Sequence, residues 1–261
     1  MTVSVIVVIL ITSIMVRNGT FETRTDTATT SYLNSLPVSR EGRDSLEDPL
    51  AYLPCSTIVE YSRGQLIYGR SQLSNSIYLV IDGKVKVCRT ADDGRQVVVD
   101  IYQPDEFFGE SGFLGEKQRV EEAVALDATK VMTWSTAEIE ELVVRRPRLG
   151  IALVQLLVRR SMDFGARIES FSIDNIGRRL VRSLLRFSER LGRDTGDGSI
   201  DMMPFTHELL SQYVGTSREI VTHYMNQLRR QGYLRYSRKG IALNRDALRE
   251  WLKRDASANE A

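Results

Sequence analysis

The segment VGTSREIVTHYMNQLRRQGYL, residues Val214–Leu234, decides how the C-terminal part of this chain folds. Apolar residues recur with a helical period on both sides of Gly215, which predicts helices over Thr206–Val214 and Thr216–Gln231. Glycine adopts the left-handed backbone conformation that a tight reversal needs, so Gly215 suits the turn between them. Two helices joined in this way form a helix-turn-helix.

The polar residues of the second helix predict what this motif contacts. We expect the helices to bury Leu209, Leu210, Tyr213, Ile220, Val221, Tyr224, Met225 and Leu228. Ser217, Arg218, Glu219, Thr222 and His223 are then left on the outside. Arginine pairs with guanine and glutamate accepts from cytosine in the major groove, so this face is predicted to contact DNA bases. A solvated face on a helical hairpin is the alternative.

The residues after the motif predict a wing. Tyr233–Leu243 (YLRYSRKGIAL) has the pattern of strand, basic turn and strand, and Arg235, Arg238 and Lys239 suit contacts with phosphates. Residues 177–261 carry 16 Lys and Arg against 10 Asp and Glu, whereas residues 1–176 carry 19 against 24. The C-terminal part is therefore the candidate for a polyanionic partner. The predicted DNA-contacting residues are Thr206, Thr216, Ser217, Arg218, Glu219, Thr222, His223, Arg238 and Lys239.

A long helix is predicted upstream, from about Pro147 to residue 173. Alternating steps of four and three residues from Gly150 select a mostly apolar seam: Val154, Leu157, Ser161, Phe164, Ile168 and Phe171. A seven-residue repeat of this kind favours dimerisation with a second copy, with Arg159, Arg160, Arg167 and Glu169 on a solvated outer face. Packing of the seam on the chain's own β-domain is the alternative. The helix breaks over Ser172–Gly177, and a basic amphipathic helix follows over Arg178–Leu191.

From Tyr52 the chain consists of short β-branched runs separated by turn residues. The runs STIVEY, QLIYG, SIYLVI, KVKVCRT and RQVVVDIY have the spacing of an antiparallel sandwich or barrel. Asp82-Gly83 and Asp93-Gly94 each predict a hairpin turn. Another β-rich run covers Ala123–Trp134, after which Ser135 to Glu138 form a capping box that begins a short helix.

The first 48 residues differ from the rest. Thr2–Val16 is apolar, but as a helix it reaches roughly 22 Å, which is short of the roughly 30 Å hydrocarbon core. It lacks the basic start and the small-residue cleavage site of a secretory signal. We interpret it as the product of a start codon assigned too early, with a weak membrane anchor as the alternative. The polar stretch that follows is predicted to be a disordered lead-in.

Cysteine and histidine usage excludes several functions. The two cysteines, Cys55 and Cys88, are too few for an iron–sulfur cluster or a zinc ribbon, and both are predicted to be buried. The only histidines, His207 and His223, lie in the basic part, so haem ligation and a nucleophile–base triad are not expected. No phosphate-binding glycine loop is present, and an enzyme is not expected.

Over Tyr52–Leu243, about three-quarters of the chain, the sequence resembles the CRP/FNR family of bacterial transcription regulators. The residues that carry the resemblance are Gly64, Gly69, Gly83 and Gly94, the FFGES motif at Phe107–Ser111, the long helix, and Val214–Leu234. The resemblance implies a homodimer with a cyclic-nucleotide-binding type of β-roll, a central helix and a C-terminal winged helix-turn-helix on a palindromic promoter site. It also implies RNA polymerase as a partner.

Departures from the family pattern fall on the effector site. Members that bind cyclic AMP use a Gly-Glu pair for ribose, an Arg-Ser pair for phosphate and a Thr-Ser pair for adenine. Gly109, Glu110 and Arg119 match, but Val120 replaces the serine, and Phe164 and Gly165 replace the adenine-binding pair. Together with Ser111 these residues form the predicted effector pocket. The alternatives for the effector are cyclic AMP, another small molecule and no ligand. A structural Glu110–Arg119 pair is the alternative to a ligand site.

The family's DNA-contacting residues are also matched in part. Arg218 and Glu219 match the pair that contacts bases, but His223 replaces the second arginine of the family pattern. We therefore expect the preference at that base to be relaxed or changed.

The sequence thus predicts an α+β protein in four parts: a lead-in (1–48), an antiparallel jelly-roll β-roll (49–146), a dimerisation helix (147–173) and a winged helix-turn-helix (174–261). The predicted function is that of a cytoplasmic, dimeric, sequence-specific DNA-binding transcription regulator with an unknown effector. The alternative is a membrane-associated sensor or regulatory module in which the β-roll binds the ligand.

Overall fold

The computed structural model describes residues 46–115, 118–196 and 198–258. The apolar segment Thr2–Val16 and most of the predicted lead-in lie outside these residues. The end of that lead-in, at residues 46–48, is ordered against the long helix: the Glu47 N–H donates to Oε1 of Gln155 (2.8 Å), and Asp48 caps a 3-10 helix over Pro49–Ala51. Among the helices of the described residues, none is both long and apolar enough to cross a membrane.

The N-terminal part is a sandwich of two antiparallel four-stranded sheets, which confirms the predicted β-roll. One sheet has the order β1-β8-β3-β6 and the other β2-β7-β4-β5. The strands are β1 (Ile58–Tyr61), β2 (Leu66–Tyr68), β3 (Ser76–Asp82), β4 (Val85–Thr90), β5 (Gln96–Tyr102), β6 (Phe107–Phe108), β7 (Glu122–Ala125) and β8 (Thr129–Ser135). Branched and aromatic side chains from both sheets fill the space between them: Tyr68, Val80, Val85, Val87, Tyr102, Phe108, Ala123 and Val131.

One of the two predicted hairpins is confirmed and the other is wrong. β4 and β5 pair from Thr90↔Gln96 onward around the Asp93-Gly94 turn. β3 and β4, by contrast, lie in different sheets, so the Asp82-Gly83 turn carries the chain across the sandwich. Gly83 has φ +80°, and a Cβ there would lie 2.4 Å from the Ala128 carbonyl oxygen. The dipeptide signals a tight left-handed turn, whereas the choice of pairing partner depends on which face of each strand is buried.

The two cysteines occupy different environments. Cys88 on β4 is buried, as predicted, and burial raises the pKa of its thiol to about 12. Cys55 is exposed, so its predicted burial is wrong. It precedes β1, whose side chains are themselves largely exposed.

Two helices follow the sandwich. α1 (Thr136–Arg145) begins with the predicted capping box, in which Ser135 and Glu138 satisfy each other's backbone N–H groups. α2 (Pro147–Ile173) has the predicted bounds and begins with proline. The prediction that Arg160 and Arg167 of α2 lie on a solvated face is wrong. Arg160 donates to the Phe107 carbonyl of the sandwich, and Arg167 donates to the Val98 and Val99 carbonyls. β5 and β6 are edge strands, whose outward carbonyls need donors, and the long arginines supply them.

The C-terminal part is a winged helix-turn-helix. Its elements are α3 (Ile176–Leu191), β9 (Arg193–Asp194), β10 (Ser199–Met202), α4 (His207–Val214), α5 (Arg218–Arg230), β11 (Leu234–Tyr236), β12 (Ile241–Asn244) and α6 (Arg245–Ala258). The small antiparallel sheet has the order β11-β12-β10-β9. Buried residues of the three central helices, among them Leu180, Leu184, Leu210, Val221 and Met225, form one core with the sheet.

This core extends to the sandwich. Val98 and Ile101 on β5 belong to the same buried cluster as the helices of the C-terminal part. Arg190 on α3 lies beside them, with Nη1 2.8 Å from Oδ1 of Asp100 and Nη2 2.8 Å from Oε2 of Glu106. The sandwich and the winged helix are therefore joined by apolar contact and by half-buried ion pairs around the buried Asp100.

We expect Gly83→Ala to lower the free energy of unfolding by at least about 2 kcal/mol, because it adds a steric clash to the cost of a positive φ. The matched control is Gly94→Ala, since Gly94 has φ +83° but open space around its Cβ position. It is expected to cost only about 1 kcal/mol. Urea denaturation followed by circular dichroism measures both, and equal losses would contradict the packing argument.

Candidate DNA-binding surface and effector pocket

The helix-turn-helix has the geometry that its sequence predicts. Thr206 caps α4 by accepting from the Leu209 N–H, and Ser217 caps α5 by accepting from the Ile220 N–H. Gly215 between them has φ +73°. A Cβ at Gly215 would lie only 2.8 Å from the ring of Phe171, so the end of the long helix α2 packs directly on the turn.

The exposed face of α5 carries the predicted base-contacting residues. Arg218, Glu219 and His223 are exposed, whereas Thr216 and Thr222 are half-buried. Hydrogen bonds from its own backbone N–H and from Ser217 lower the pKa of Glu219, which keeps this side chain ionised at neutral pH. Ile220, which was predicted to be buried, is 37% exposed, so its predicted burial is wrong. It lies one position from Val221, which fills the core instead.

The Thr222 hydroxyl is used in hydrogen bonds within the protein, which the sequence did not indicate. Its hydroxyl donates to the Arg218 carbonyl (2.8 Å), and Nδ1 of His207 lies 2.8 Å from the same oxygen. Since that hydroxyl proton is used, Nδ1 of His207 must be the donor in the second bond. Burial, with a smaller effect from Arg218, lowers the pKa of His207, which favours the neutral ring. The contact fixes the start of α4 to α5.

The predicted wing is present and is fixed to the same helix. β11 and β12 pair antiparallel, and the turn between them exposes Arg238 and Lys239. The Tyr236 hydroxyl donates to Oδ1 of Asn226 on α5 (3.1 Å). The exposed residues of α5 and the cationic wing tip thus belong to one rigid unit.

The exposed apolar face of α2 includes most of the predicted seam but is wider than it. Val154, Leu157, Ser161 and Ile168 are exposed, but Phe164 is half-buried, and Phe171 contacts Gly215 and the guanidinium groups of Arg167 and Arg179. The exposed apolar residues of this helix are Ile151, Val154, Leu157, Val158, Met162, Ile168, Phe171 and Ile173. Since 3.6 residues make one turn, Ile151, Val154, Val158 and Met162 form one continuous stripe.

In the predicted effector pocket, Arg119 is bound by the protein itself. Its side chain is only 3% exposed, and Nη2 donates to the Ser76 carbonyl (2.7 Å). Nη1 lies 3.3 Å from the Ser111 hydroxyl, and the guanidinium carbon is 4.0 Å from the centre of the Tyr68 ring. Gly109 is buried nearby, whereas Val120 is 48% exposed and Gly165 is also exposed.

Glu110 does not pair with Arg119. Its Oε1 lies 2.5 Å from Nη1 of Arg160, so the expectation of a Glu110–Arg119 pair is wrong. Arg160 lies on α2 and contacts Glu110 directly. Arg119 does not, because its guanidinium donates to the Ser76 carbonyl instead. The contact ties the pocket to the long helix.

A second carboxylate, Glu121, is buried beside Tyr68. It is 8% exposed, and the Tyr68 hydroxyl donates to its Oε1 at 3.3 Å. Burial is the main cause that raises the pKa of Glu121, and the charge of Glu110 adds to it. Glu122, on the neighbouring strand position, instead accepts from the Gln96 amide (2.9 Å). The site therefore already contains a buried carboxyl group two residues from Arg119.

Two family models match the chain. The model described as a cyclic nucleotide-binding domain matches residues 58–146, and the Crp-like helix-turn-helix domain matches residues 178–251. The chain is 24% identical over 186 residues to the CRP-like cAMP-activated global transcriptional regulator of Mycobacterium tuberculosis, covering 71% of this chain and 83% of that protein. It is 27% identical over 190 residues to the cyclic AMP receptor protein of Thermus thermophilus, covering 73% and 85%.

Solved structures share the fold. FixK2 from Bradyrhizobium japonicum superposes with a TM-score of 0.66 at 21% identity, over 75% of this chain and 96% of that one. The c-di-GMP responsive global regulator CLP of Xanthomonas campestris gives a TM-score of 0.62 at 22% identity, over 74% and 95%. These likenesses support the arrangement of sandwich, long helix and winged helix.

We expect Glu121→Gln to raise the free energy of unfolding near neutral pH. A folded-state pKa above the unfolded value means that ionisation costs more in the folded protein. The native protein therefore loses stability as the pH rises above the ordinary value of 4.5 and through the higher folded-state pKa of Glu121. The gain is expected to shrink at about pH 5, where more of the glutamate is protonated. Glutamine keeps an acceptor for Tyr68.

Thermal unfolding at the two pH values measures this gain. The control is Glu60→Gln, because the Glu60 side chain is 72% exposed and pairs only with Lys130 at the surface. A gain of the same size for both variants, or one that is constant with pH, would contradict the assignment of Glu121.

Proposed function

Because this chain belongs to the CRP/FNR family of DNA-binding transcription regulators, we propose that it acts as a homodimer that binds a palindromic promoter site and does not respond to cyclic AMP. The observation that carries the proposal is the exposed pair Arg218 and Glu219 at the capped start of α5, with the cationic wing on the same rigid unit.

The DNA-binding step follows from the chemistry of that face. Arg218 offers the two-donor fork that fits O6 and N7 of guanine, and ionised Glu219 accepts from the N4 amino group of cytosine. His223 lies farther along the same exposed face. Arg238 and Lys239 at the wing tip contribute charge toward the phosphates, which strengthens binding without selecting a sequence.

The dimer follows from the stripe on α2. Val154 is 51% exposed, Val158 53% and Met162 71%, although all three are apolar. An apolar stripe along a helix of 27 residues is stabilised when a second copy covers it. A two-fold symmetric pair also presents two copies of α5 to successive major grooves, about 34 Å apart, which a palindromic site requires.

The proposed lack of response to cyclic AMP rests on Arg119 and its neighbours. The guanidinium that would bind the cyclic phosphate donates to Ser76 and stacks on Tyr68. Glu110 is paired with Arg160, and Glu121 adds a carboxylate beside the site. Phe164 and Gly165 have no side-chain hydrogen-bonding groups for adenine. A phosphate would have to displace protein acceptors and approach a like charge.

We extend the proposal to RNA polymerase as a partner, because a regulator that is bound at a promoter acts on transcription through the polymerase.

We expect the purified protein to bind a palindromic family-type operator more tightly than a scrambled duplex, with no change on addition of cyclic AMP. Fluorescence anisotropy at two fixed salt concentrations measures this, since phosphate contacts make affinity depend on salt. Arg218→Ala is expected to lose about 1–3 kcal/mol on the operator and little on the scrambled duplex.

The matched variant is Lys239→Ala. Removal of a phosphate contact weakens binding to both duplexes alike and lowers the salt slope by about 1. Equal losses on both duplexes for Arg218→Ala would count against base contact by this residue. A large increase in operator affinity with cyclic AMP would refute the effector part of the proposal.

We expect Val158→Asp to convert the dimer into monomers, because a carboxylate at the centre of the stripe would be buried without a partner. Sedimentation velocity gives the oligomeric state directly. Operator affinity is expected to fall with it, because a single half-site provides only half of the contacts.

Val144→Asp is the control for the dimer. Val144 lies on α1 and is 82% exposed, so the same substitution there changes surface charge without touching the stripe. A dimer that survives Val158→Asp, or one that is equally disrupted by Val144→Asp, would show that α2 is not the interface.

A further inference from the structure

A cavity of about 360 Å³ lies between the C-terminal third of α2 and the helices α3 and α4. Its wall contains four arginines together with two aromatic residues: Arg167, Arg179, Arg182, Arg186, Phe171 and Tyr213. Arg182 and Ile173 at the rim are exposed to solvent, with Ile173 75% exposed, so a solute can enter. The volume falls in the range of small-molecule sites.

The arginines present hydrogen-bond donors that the protein leaves unused. The Nε atoms of Arg167, Arg179 and Arg186 are buried and have no acceptor within the described part of the chain. A buried donor without an acceptor is costly, and native proteins normally satisfy such groups. Three unsatisfied donors around one cavity indicate a missing acceptor.

The carboxylates in the cavity wall do not supply this missing acceptor. Asp174 pairs with Arg178 and Arg182, Asp163 pairs with Arg186 (3.2 Å), and Glu189 pairs with Arg249. Glu169 also lines the cavity, but it is exposed and makes no ion pair within the residues that the structure describes.

Two guanidinium groups therefore keep uncompensated charge. The Nη atoms of Arg167 donate to the neutral carbonyls of Val98, Val99 and Tyr213. Within the described residues, the Arg179 side chain makes neither an ion pair nor a hydrogen bond, and its guanidinium carbon lies 4.7 Å from the centre of the Phe171 ring. Arg167 lies over the same ring at 5.6 Å.

We propose that this cavity binds a small multivalent anion, a phosphate-bearing compound or a polycarboxylate, as an effector of DNA binding. Arginine forks bind phosphate and carboxylate oxygens through paired, charge-assisted hydrogen bonds, which is the chemistry that the unused donors offer. The site is separate from Arg119 in the sandwich.

The position of the cavity gives such an anion access to the helix-turn-helix. Phe171 packs on Gly215 at the turn, and Arg167 donates to the Tyr213 carbonyl near the end of α4. An anion between these groups contacts the long helix and the DNA-binding helices at once. This step rests on the proposed function, and by linkage DNA and anion change each other's affinity by the same factor.

Isothermal titration calorimetry of the full chain with pyrophosphate and with citrate, at constant ionic strength, tests the site without DNA. We expect saturable binding of at least one probe, with one site per chain. Arg179→Met is expected to weaken it about tenfold or more through loss of a charge-assisted hydrogen bond, whereas Arg179→Lys keeps part of the affinity. Within the described residues the Arg179 guanidinium stacks on Phe171 but makes no hydrogen bond or ion pair that methionine would remove, so the variant is expected to fold.

Arg145→Met is the matched control, because Arg145 lies on α1 with its side chain 73% exposed. It is expected to bind the probe like the unmodified protein. Absence of saturable binding by both probes, or equal binding by Arg179→Met, would overturn the proposed site.

The effector role is tested by repeating the operator titration with the probe that binds. We expect operator affinity to change for the unmodified protein and for Arg145→Met, but not for Arg179→Met. Binding by calorimetry without any change in operator affinity would overturn the effector role. Failure of the protein to bind the operator at all would instead count against the proposed function, and calorimetry alone would then decide the site.

Discussion

The half-buried Arg190 joins the DNA-binding helices to the sandwich, and the position of those helices depends on it. Its guanidinium donates to Asp100, Glu106 and the Ile101 carbonyl, all on or near β5, from the last turn of α3. An ion pair with a buried partner adds little net stability, since desolvation offsets the attraction, but loss of Arg190 would leave the buried Asp100 carboxylate without this partner, which is costly. Its effect is therefore on geometry. The winged helix keeps its position against the sandwich because any other position would leave these charged groups without partners.

The sequence predicts the local structure well, because the signals for local structure are themselves local. Gly215, the caps at Thr206 and Ser217, and Pro147 each determine backbone conformation within one turn of themselves. The errors concern contacts between distant segments. Asp82-Gly83 correctly predicts a tight turn but not the sheet that β4 joins. Arg160 and Arg167 follow the pattern of exposed helix residues, yet they bond to carbonyls on strands 53 and 68 positions away. Nothing in the helix itself indicates those strands.

The effector pocket shows the same limit in its chemistry. Gly109, Glu110 and Arg119 match the residues of a cyclic-nucleotide pocket in the family pattern. Residue identity, however, does not reveal which partner each side chain contacts. Here Arg119 bonds to Ser76, and Glu110 bonds to Arg160 on the long helix. The sequence places the Glu121 carboxylate near the phosphate position, but it does not predict the contact of Glu121 with Tyr68, because the two residues are 53 positions apart. Only their burial together, next to Arg119, makes them part of the pocket.

The long helix α2 connects all of these contacts. Arg160 pairs with Glu110 in the pocket, and Arg167 donates to carbonyls on β5 and at the end of α4. Phe171 packs on Gly215, the turn glycine of the helix-turn-helix. Since these side chains project from one continuous helix, a shift of α2 that relieves one contact strains the others. A ligand changes the balance only to the extent that it binds one arrangement more tightly than another. In the sandwich such a ligand must first displace Arg119 from Ser76 and Glu110 from Arg160. In the cavity near Phe171 the Arg179 side chain makes neither an ion pair nor a hydrogen bond within the described residues, and its Nε is an unused donor. An anion therefore costs less free energy to bind in that cavity than in the β-roll, and this is the physical reason to seek the effector there.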